Sequence, residues 1–429
     1  LIKKILNNQF FKIFSYNSII VFGKVISSFV VSKVSAIYLG PSGFAIVGNF
    51  RNVLQGVLGI TSSGFQSGVI KHIAESKYER ELYSSIVSSV FALSLFISLL
   101  IAPVLFIFSE ALTVYILKEV SYAFVFKYFA LLLPLISFNF LILNILNGLQ
   151  KLKLYTIISS VLNVLNALLT FLCIYFYSLE GALIASLLVP AFCFVTTFLF
   201  KDIRKLVFRY FFRLKNVSYN IVKSVSVYLG MAIYSTILIS ISYLLIRNKI
   251  ISSIDLETAG LWEAMNKVST FYMLFFSSLL TLYLLPKLSQ NITVNGFKNI
   301  MIEYFKFVLP LVIILFLVIF ISRLLIIRLF LTEDFLHIQN LFYLQLVGDF
   351  LKIVGFSFAY QFHAKKMLLP YFISDALLYI SFYLLSIFLI DIYELLGVYY
   401  AYICSFILYL LTVIIFIYLT RYKYLKAND

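Results

Sequence analysis

Apolar runs of about twenty residues, long enough to cross a bilayer as an α-helix, recur along the whole chain between short polar stretches. They predict twelve spans, at 12–39, 43–70, 83–108, 122–148, 154–176, 180–200, 218–246, 257–286, 304–330, 337–363, 367–390 and 395–420. The short polar-apolar alternation of a transmembrane β-barrel is missing, so the expected fold class is all-α and polytopic. No connection is long enough to fold as a soluble domain. The opening residues, Leu1–Asn8, lead gradually into an ordinary span, and no cleavable signal peptide is expected.

The two halves of this pattern resemble each other at an offset of about 216 residues, the mark of an internal repeat. Tyr177-Ser-Leu-Glu-Gly181 followed by Ala185 matches Tyr393-Glu-Leu-Leu-Gly397 followed by Ala401, and Tyr155 falls on Tyr371. Lys151 falls on Lys366 within one residue, while Gly43 and Asn49 fall near Gly260 and Asn266. The period holds six helices, an even number, so the repeats run parallel. The expectation is two pseudo-symmetric six-helix lobes around a central cavity, residues 1–200 and 218–429. Between them lies the longest polar break, 201–217, which interleaves Lys201, Arg204, Lys205, Arg209 and Arg213 with Ile203, Val207, Tyr210 and Phe211. That mixture predicts a basic helix lying at the lipid headgroups.

Composition agrees: 62% of residues are hydrophobic and 12% charged, against roughly 25% charged in soluble domains. A net charge of +16 would suggest nucleic acid in a soluble chain. Here most Lys and Arg collect in one set of alternate loops, the cytoplasmic signature. The other set holds Lys118, Arg247, Lys249, Arg323 and Arg328. Both termini are therefore expected in the cytoplasm. Cys173, Cys193 and Cys404 lie within apolar runs without ligand spacing, and the three histidines are scattered, so no metal site or cofactor is expected.

Some cations do not fit the loops. Lys24, Lys33, Arg51, Lys127, Lys267 and Lys352 fall within spans, as do Glu263, Asp349 and Asp375. A charge at bilayer depth costs about 2.5–3.5 kcal/mol on insertion scales and marks function by default. Lys24 and Lys33, nine residues apart, take opposite faces of the first helix. Lys24 lies near mid-span on the polar face, whereas Lys33 and Lys127 lie close enough to an outer end to snorkel. Arg51 sits about 12 Å into the second helix by its rise per residue, among Asn49, Asn52 and Gln55. Its partner is either a distant carboxylate such as Asp375 or a phosphate, which a guanidinium suits. Glu263 and Lys267 are spaced i,i+4, and Asp349 and Lys352 i,i+3. Either pair can neutralise itself or serve a substrate. The first half thus sets four cations against no buried acid, a charge balance suited to an anionic substrate.

Gly40-Pro-Ser-Gly-Phe…Gly48-Asn-Phe-Arg51, Tyr283-Leu-Leu-Pro-Lys-Leu-Ser289 and Gln345-Leu-Val-Gly-Asp-Phe-Leu-Lys352 resemble the Wzx-type flippases of lipid-linked oligosaccharides. That family serves O-antigen and enterobacterial common antigen assembly within the multidrug/oligosaccharidyl-lipid/polysaccharide exporter superfamily. The resemblance runs over essentially the full chain. It implies a non-enzymatic protein of the bacterial inner membrane, moving an undecaprenyl-pyrophosphate-linked oligosaccharide to the periplasmic leaflet by alternating access. Other polysaccharide-assembly membrane proteins are the partners it implies. On this reading Arg51, Lys24, Asn49 and Asn52 bind pyrophosphate. Glu263, Asn266, Lys267, Asp349 and Lys352 contact sugar or gate the lobes. Proton or sodium coupling, through Asp349, Asp375 or Glu263, is left open. One departure stands out: Thr270 replaces an aspartate of the common-antigen type, and Lys267 is an added lysine, which implies a different sugar at the eighth helix. Two rivals share the membrane. An ion-coupled multidrug exporter would need a buried acid in the first half, and an oligosaccharide polymerase would need a large periplasmic loop.

Overall fold

The structure, a computed structural model, describes residues 9–76, 79–211, 213–291 and 293–424. Lys3, Lys4, Lys77 and Lys426, which enter the orientation argument, lie outside the described residues. In chain order the helices are α1 (Gln9–Thr61), α2 (Gln66–Glu75), α3 (Arg80–Ile107), α4 (Ser109–Leu117) and α5 (Ala123–Gly148). Then come α6 (Leu152–Thr197), α7 (Lys201–Leu206), α8 (Tyr219–Ser253), α9 (Leu256–Leu279) and α10 (Leu285–Gln290). Last are α11 (Val294–Ile321), α12 (Arg323–Phe330), α13 (Phe342–Lys365), α14 (Leu368–Tyr393) and α15 (Leu395–Tyr424). No β-strand occurs among the described residues.

Among the described residues, eight stretches are long and apolar enough to cross a membrane. Two of them, α1 and α6, are each a pair of helices joined at a bend. With α8 and α9, the described residues hold twelve membrane-length helices. The protein is an all-α, multi-pass membrane protein. The bend in α1 is Gly40, at φ 60° and ψ −170°, a backbone region that glycine enters without the Cβ clash other residues meet. Pro41 then restarts the helix, its fixed φ suiting a first helical position.

The internal repeat is written into the backbone. Ser178, at φ 45° and ψ −123°, bends α6; Glu394, at φ 51° and ψ −133°, separates α14 from α15. Gln150 (φ 55°) and Lys366 (φ 54°) likewise precede α6 and α14. A Cβ on Gly181 would lie 1.9 Å from the Cys173 carbonyl oxygen, and one on Gly397 2.2 Å from that of Leu389. Each bend therefore carries the same glycine, closing on the carbonyl eight residues before it. The four positive-φ residues show the register is Gln150 with Lys366, which resolves the one-residue ambiguity at Lys151.

The chain divides into two compact units, Leu1–Leu39 with Ile46–Ser240, and Gly40–Ala45 with Ile241–Asp429. The core of the first is aromatic: Phe91 lies 4.6 Å from Phe138 and 4.4 Å from Phe211 between ring centroids. Phe211 belongs to the basic linker, which runs as α7, a π turn at Val207–Phe211 and a short 3-10 turn. Its Ile203, Leu206, Val207 and Phe211 are buried, while Lys201, Arg204, Lys205 and Phe208 are exposed. Such a face suits a helix whose basic residues stay at the headgroups. The first turns of α8 join this core through Val225 and Leu229, so packing divides the chain further along than the loops suggest. Within the second unit, a Cβ on Gly260 of α9 would lie 1.7 Å from the Pro41 carbonyl oxygen. Phe44 meets Phe335 at 5.2 Å. These contacts place the Gly-Pro-Ser-Gly turn against α9 and the 3-10 segment Glu333–Leu341.

Candidate functional site

In the first unit, the residues around Arg51 divide by face. Asn49 is fully buried, and its amide donates to the Ile116 carbonyl at 2.9 Å. It thereby satisfies one of the carbonyls left open at the end of α4. Phe50 packs beside it against Phe126 and Phe129. Asn52, three residues from Asn49, is also buried, and its amide nitrogen has no protein acceptor. Arg51 is half-buried and shares the outer face with exposed Gln55. Lys24 is exposed on α1, and Lys33 and Lys127 are half-buried. The structure thus ties Asn49 to the end of α4, with Arg51, Asn52 and Gln55 as the other polar residues of this stretch. Two further asparagines were not anticipated: Asn139 and Asn144 of α5 are buried, Asn139 with neither amide atom partnered and Asn144 with its amide nitrogen unpartnered. Burying such a group without a partner costs about 1–3 kcal/mol, so a polar ligand would relieve it.

The second unit gathers its charges into one buried network. Arg247, counted from sequence among outer loop residues, lies inside α8, which runs to Ser253. Its side chain is fully buried and ion-paired to Glu263 of α9. This corrects the loop assignment of Arg247 and gives Glu263 a partner that its spacing to Lys267 did not suggest. The guanidinium also lies 5.4 Å over the ring of Trp262, on which Tyr243 stacks at 5.4 Å. Cation–π contact of this kind strengthens when it is desolvated.

Asp349, also fully buried, takes a different partner from the one its spacing suggests. Rather than pairing with Lys352, its carboxylate accepts from four neutral donors: Ser269 Oγ at 2.7 Å, Tyr272 Oη, Gln345 Nε2 at 3.0 Å and Tyr402 Oη at 2.7 Å. Lys352 lies about 6 Å over the Tyr402 and Phe406 rings instead. The motif around Asp349 explains the cage. Gln345, one turn earlier, donates along the helix. Gly348 leaves room for Tyr402, since a Cβ there would lie 2.3 Å from its ring. Seven residues on, Gly355 does the same for Tyr409 at 3.0 Å. Small residues at helix spacing let membrane helices approach closely, and here they bring α15 onto α13. Asp375 is buried on α14, near enough to Tyr379 and Tyr409 for electrostatic interaction. Asn266 is half-buried with an unpartnered amide nitrogen, and Lys267 is half-buried beside it in sequence.

The Tyr283–Ser289 motif is a clip rather than a site. Lys287 Nζ contacts Glu303 at 2.8 and 3.0 Å and Tyr283 Oη at 2.7 Å. The hydrogen bond from Lys287 to Glu303 raises the ammonium above its usual range. Lys365 donates to the Ser289 and Asn291 carbonyls, fastening the end of α13 to the same turn. Among the described residues no group of three His, Cys, Asp or Glu could hold a metal ion.

Twelve helices in two repeats, with arginine, lysine and carboxylates gathered inside them, define a multi-pass membrane protein of the two-lobed type. The chain belongs to the polysaccharide biosynthesis protein family, whose pattern it matches over residues 11–292. It is 25% identical over 390 residues to the lipid III flippase of Escherichia coli K12, covering 90% of this chain and 92% of that protein. The lipid III flippase of Shigella flexneri matches equally. Among solved structures, an inward-facing MATE multidrug transporter of the MOP superfamily superposes with a TM-score of 0.75 at 17% identity, covering 93% of this chain and 94% of that one. The lipid II flippase MurJ, inward closed, superposes at 0.71 and 17% identity, covering 95% and 87%. At these identities the structural likeness establishes the fold.

Proposed function

We propose that this protein is a flippase for a polyprenyl-pyrophosphate-linked oligosaccharide, working by alternating access in a bacterial inner membrane and carrying the glycan outward. It would move a lipid rather than transform it, as the flippases among its relatives do. One observation carries the reading beyond kinship. In the second unit intramembrane Arg247 is ion-paired to Glu263, and Asp349 accepts from four neutral donors. The first unit carries Lys24, Lys33, Arg51 and Lys127 with no acid inside its spans away from their ends. An anion brought by the substrate suits that excess, and Arg51 with Asn52 is the group proposed to meet a pyrophosphate. Asn266, Lys267 and Lys352 are proposed to face the sugar or to gate. Asp349 and Asp375 are the proposed sites of proton or sodium coupling. The fold also hosts multidrug exporters, but a cationic first unit disfavours cationic drugs.

Quantifying lipid-linked glycan in cells carrying Arg51→Ala, Arg51→Lys or Asp349→Asn tests the assignment. The expected result is accumulation in all three with the protein still in the membrane, and with Arg51→Lys intermediate. Normal export by Arg51→Ala would remove the phosphate role.

A further inference from the structure

One surface of the first unit is unlike an ordinary lipid-facing helix pair. The first part of α1 and the first part of α6 lie side by side and leave a groove between them. Asn163 donates to the Ile20 carbonyl at 3.3 Å and Asn166 to Ser27 Oγ at 3.0 Å. A Cβ on Gly23 would lie 3.2 Å from the Asn163 amide. These polar contacts tie the helices together, and Gly23, Ser27 and Asn163 also line the groove. Its walls are apolar and open: Phe22, Ile26, Val164 and Leu168 are 68%, 48%, 64% and 53% exposed. One hollow in it, lined also by Ser160 and Phe171, has a volume of about 590 Å³.

Three hollows join end to end. The one above shares Ile19, Ser160 and Val164 with a second. That second hollow shares Lys153 and Ile157 with a third, lined by Lys151, Lys153, Lys201 and Asp202. The groove thus begins at a basic mouth and runs along α6. At the mouth Lys151 is engaged by Asp202 at 2.8 Å, and that hydrogen bond holds the Asp202 carboxyl below its usual range. Lys153 and Lys201 are exposed and have no ion pair among the described residues.

Length selects the occupant. From Ile157 to Phe171 the apolar wall of α6 rises about 21 Å. One leaflet's share of the hydrocarbon core is about 15 Å, so the groove outruns the acyl chain of a phospholipid seated at its mouth. A single chain that crosses the bilayer midplane fits it, and the basic mouth fits a phosphate at that chain's head. We propose that this groove seats the polyprenyl chain of the lipid substrate before transfer, with its phosphate held first at Lys153 and Lys201 and passed on to Arg51. The inference rests on the flippase reading above, and it moves the chain from bulk lipid onto a track on the protein.

The test uses the full chain in phosphatidylethanolamine–phosphatidylglycerol nanodiscs doped with undecaprenyl phosphate. p-Benzoylphenylalanine replaces Val164 or, as a lipid-facing control on α11, Ile314. Mass spectrometry then identifies what each site captures on illumination. The expected result is a polyprenyl phosphate adduct at position 164, roughly tenfold above position 314. Lys153→Glu with Lys201→Glu should reduce it by about tenfold, the loss expected when charge-assisted contacts go. Capture of phospholipid alone at position 164, equal capture at both sites, or indifference to the charge reversals overturns the groove. Deleting the protein separates the two claims. Accumulation of lipid-linked glycan without the adduct overturns the groove and leaves the flippase reading; the adduct without accumulation does the reverse.

Discussion

Arg247 and Glu263 are the most demanding pair of residues in the molecule. Two charges removed from water must meet in good geometry or not at all, and removing one partner from a buried pair costs about 3–5 kcal/mol. Glu263→Gln should therefore lower thermal stability of the purified protein strongly. Arg247→Met combined with Glu263→Met should recover much of the loss, because it leaves no buried charge behind. An unchanged melting temperature in Glu263→Gln would mean the pair contributes nothing. The same residues mark where reading a sequence stops. Arg247 follows an apolar run and precedes Asn248 and Lys249, so local composition assigns it to a loop. Only the course of α8 to Ser253 and the approach of α9 reveal it as buried. Asp349 was legible as an intramembrane acid, yet its partners Ser269, Tyr272 and Tyr402 lie on other helices and left no mark in local spacing. Arg51 could be found because charge inside an apolar run is a local property.

At the scale of elements, glycines decide which helices touch. Gly348 and Gly355 of α13 face Tyr402 and Tyr409 of α15 at the same seven-residue interval. That shared interval is the one sequence signal that could have found the Asp349 cage. Gly348→Val should disrupt the cage and Gly355→Val should do less harm, because a Cβ approaches Tyr402 more closely (2.3 Å) than Tyr409 (3.0 Å). Thermal stability of the two variants checks the order, and equal tolerance of both would argue against close α13–α15 packing. The bends offer a test of opposite sign. Ser178 and Glu394 hold positive φ values with ψ of −123° and −133°, a sparsely populated region that costs a residue with a side chain about 1–3 kcal/mol. Ser178→Gly and Glu394→Gly should both raise the melting temperature, and a fall in either would show that its side chain compensates for the strain.

At the scale of the whole molecule, the repeat and the helices were readable from the chain because both rest on hydrophobic periodicity and turn residues. The paired bends at Ser178 and Glu394 gave that repeat a backbone form. The limits of the packing units were not readable, since Gly40–Ala45 and the first turns of α8 join their units through contacts far along the chain. Twelve helices in two repeats, a first unit with cations alone inside its spans and a second that pairs Arg247 with Glu263 are the plan on which the proposed carriage of an anionic headgroup rests. The most direct check is the leaflet occupied by the lipid-linked glycan after the protein is depleted, read by a membrane-impermeant glycan label on spheroplasts with total lipid-linked glycan measured by mass spectrometry. The account expects the glycan to accumulate beyond the label's reach, on the cytoplasmic side, and to become accessible when the protein is restored. Glycan that reaches the label at the normal rate without the protein would contradict it.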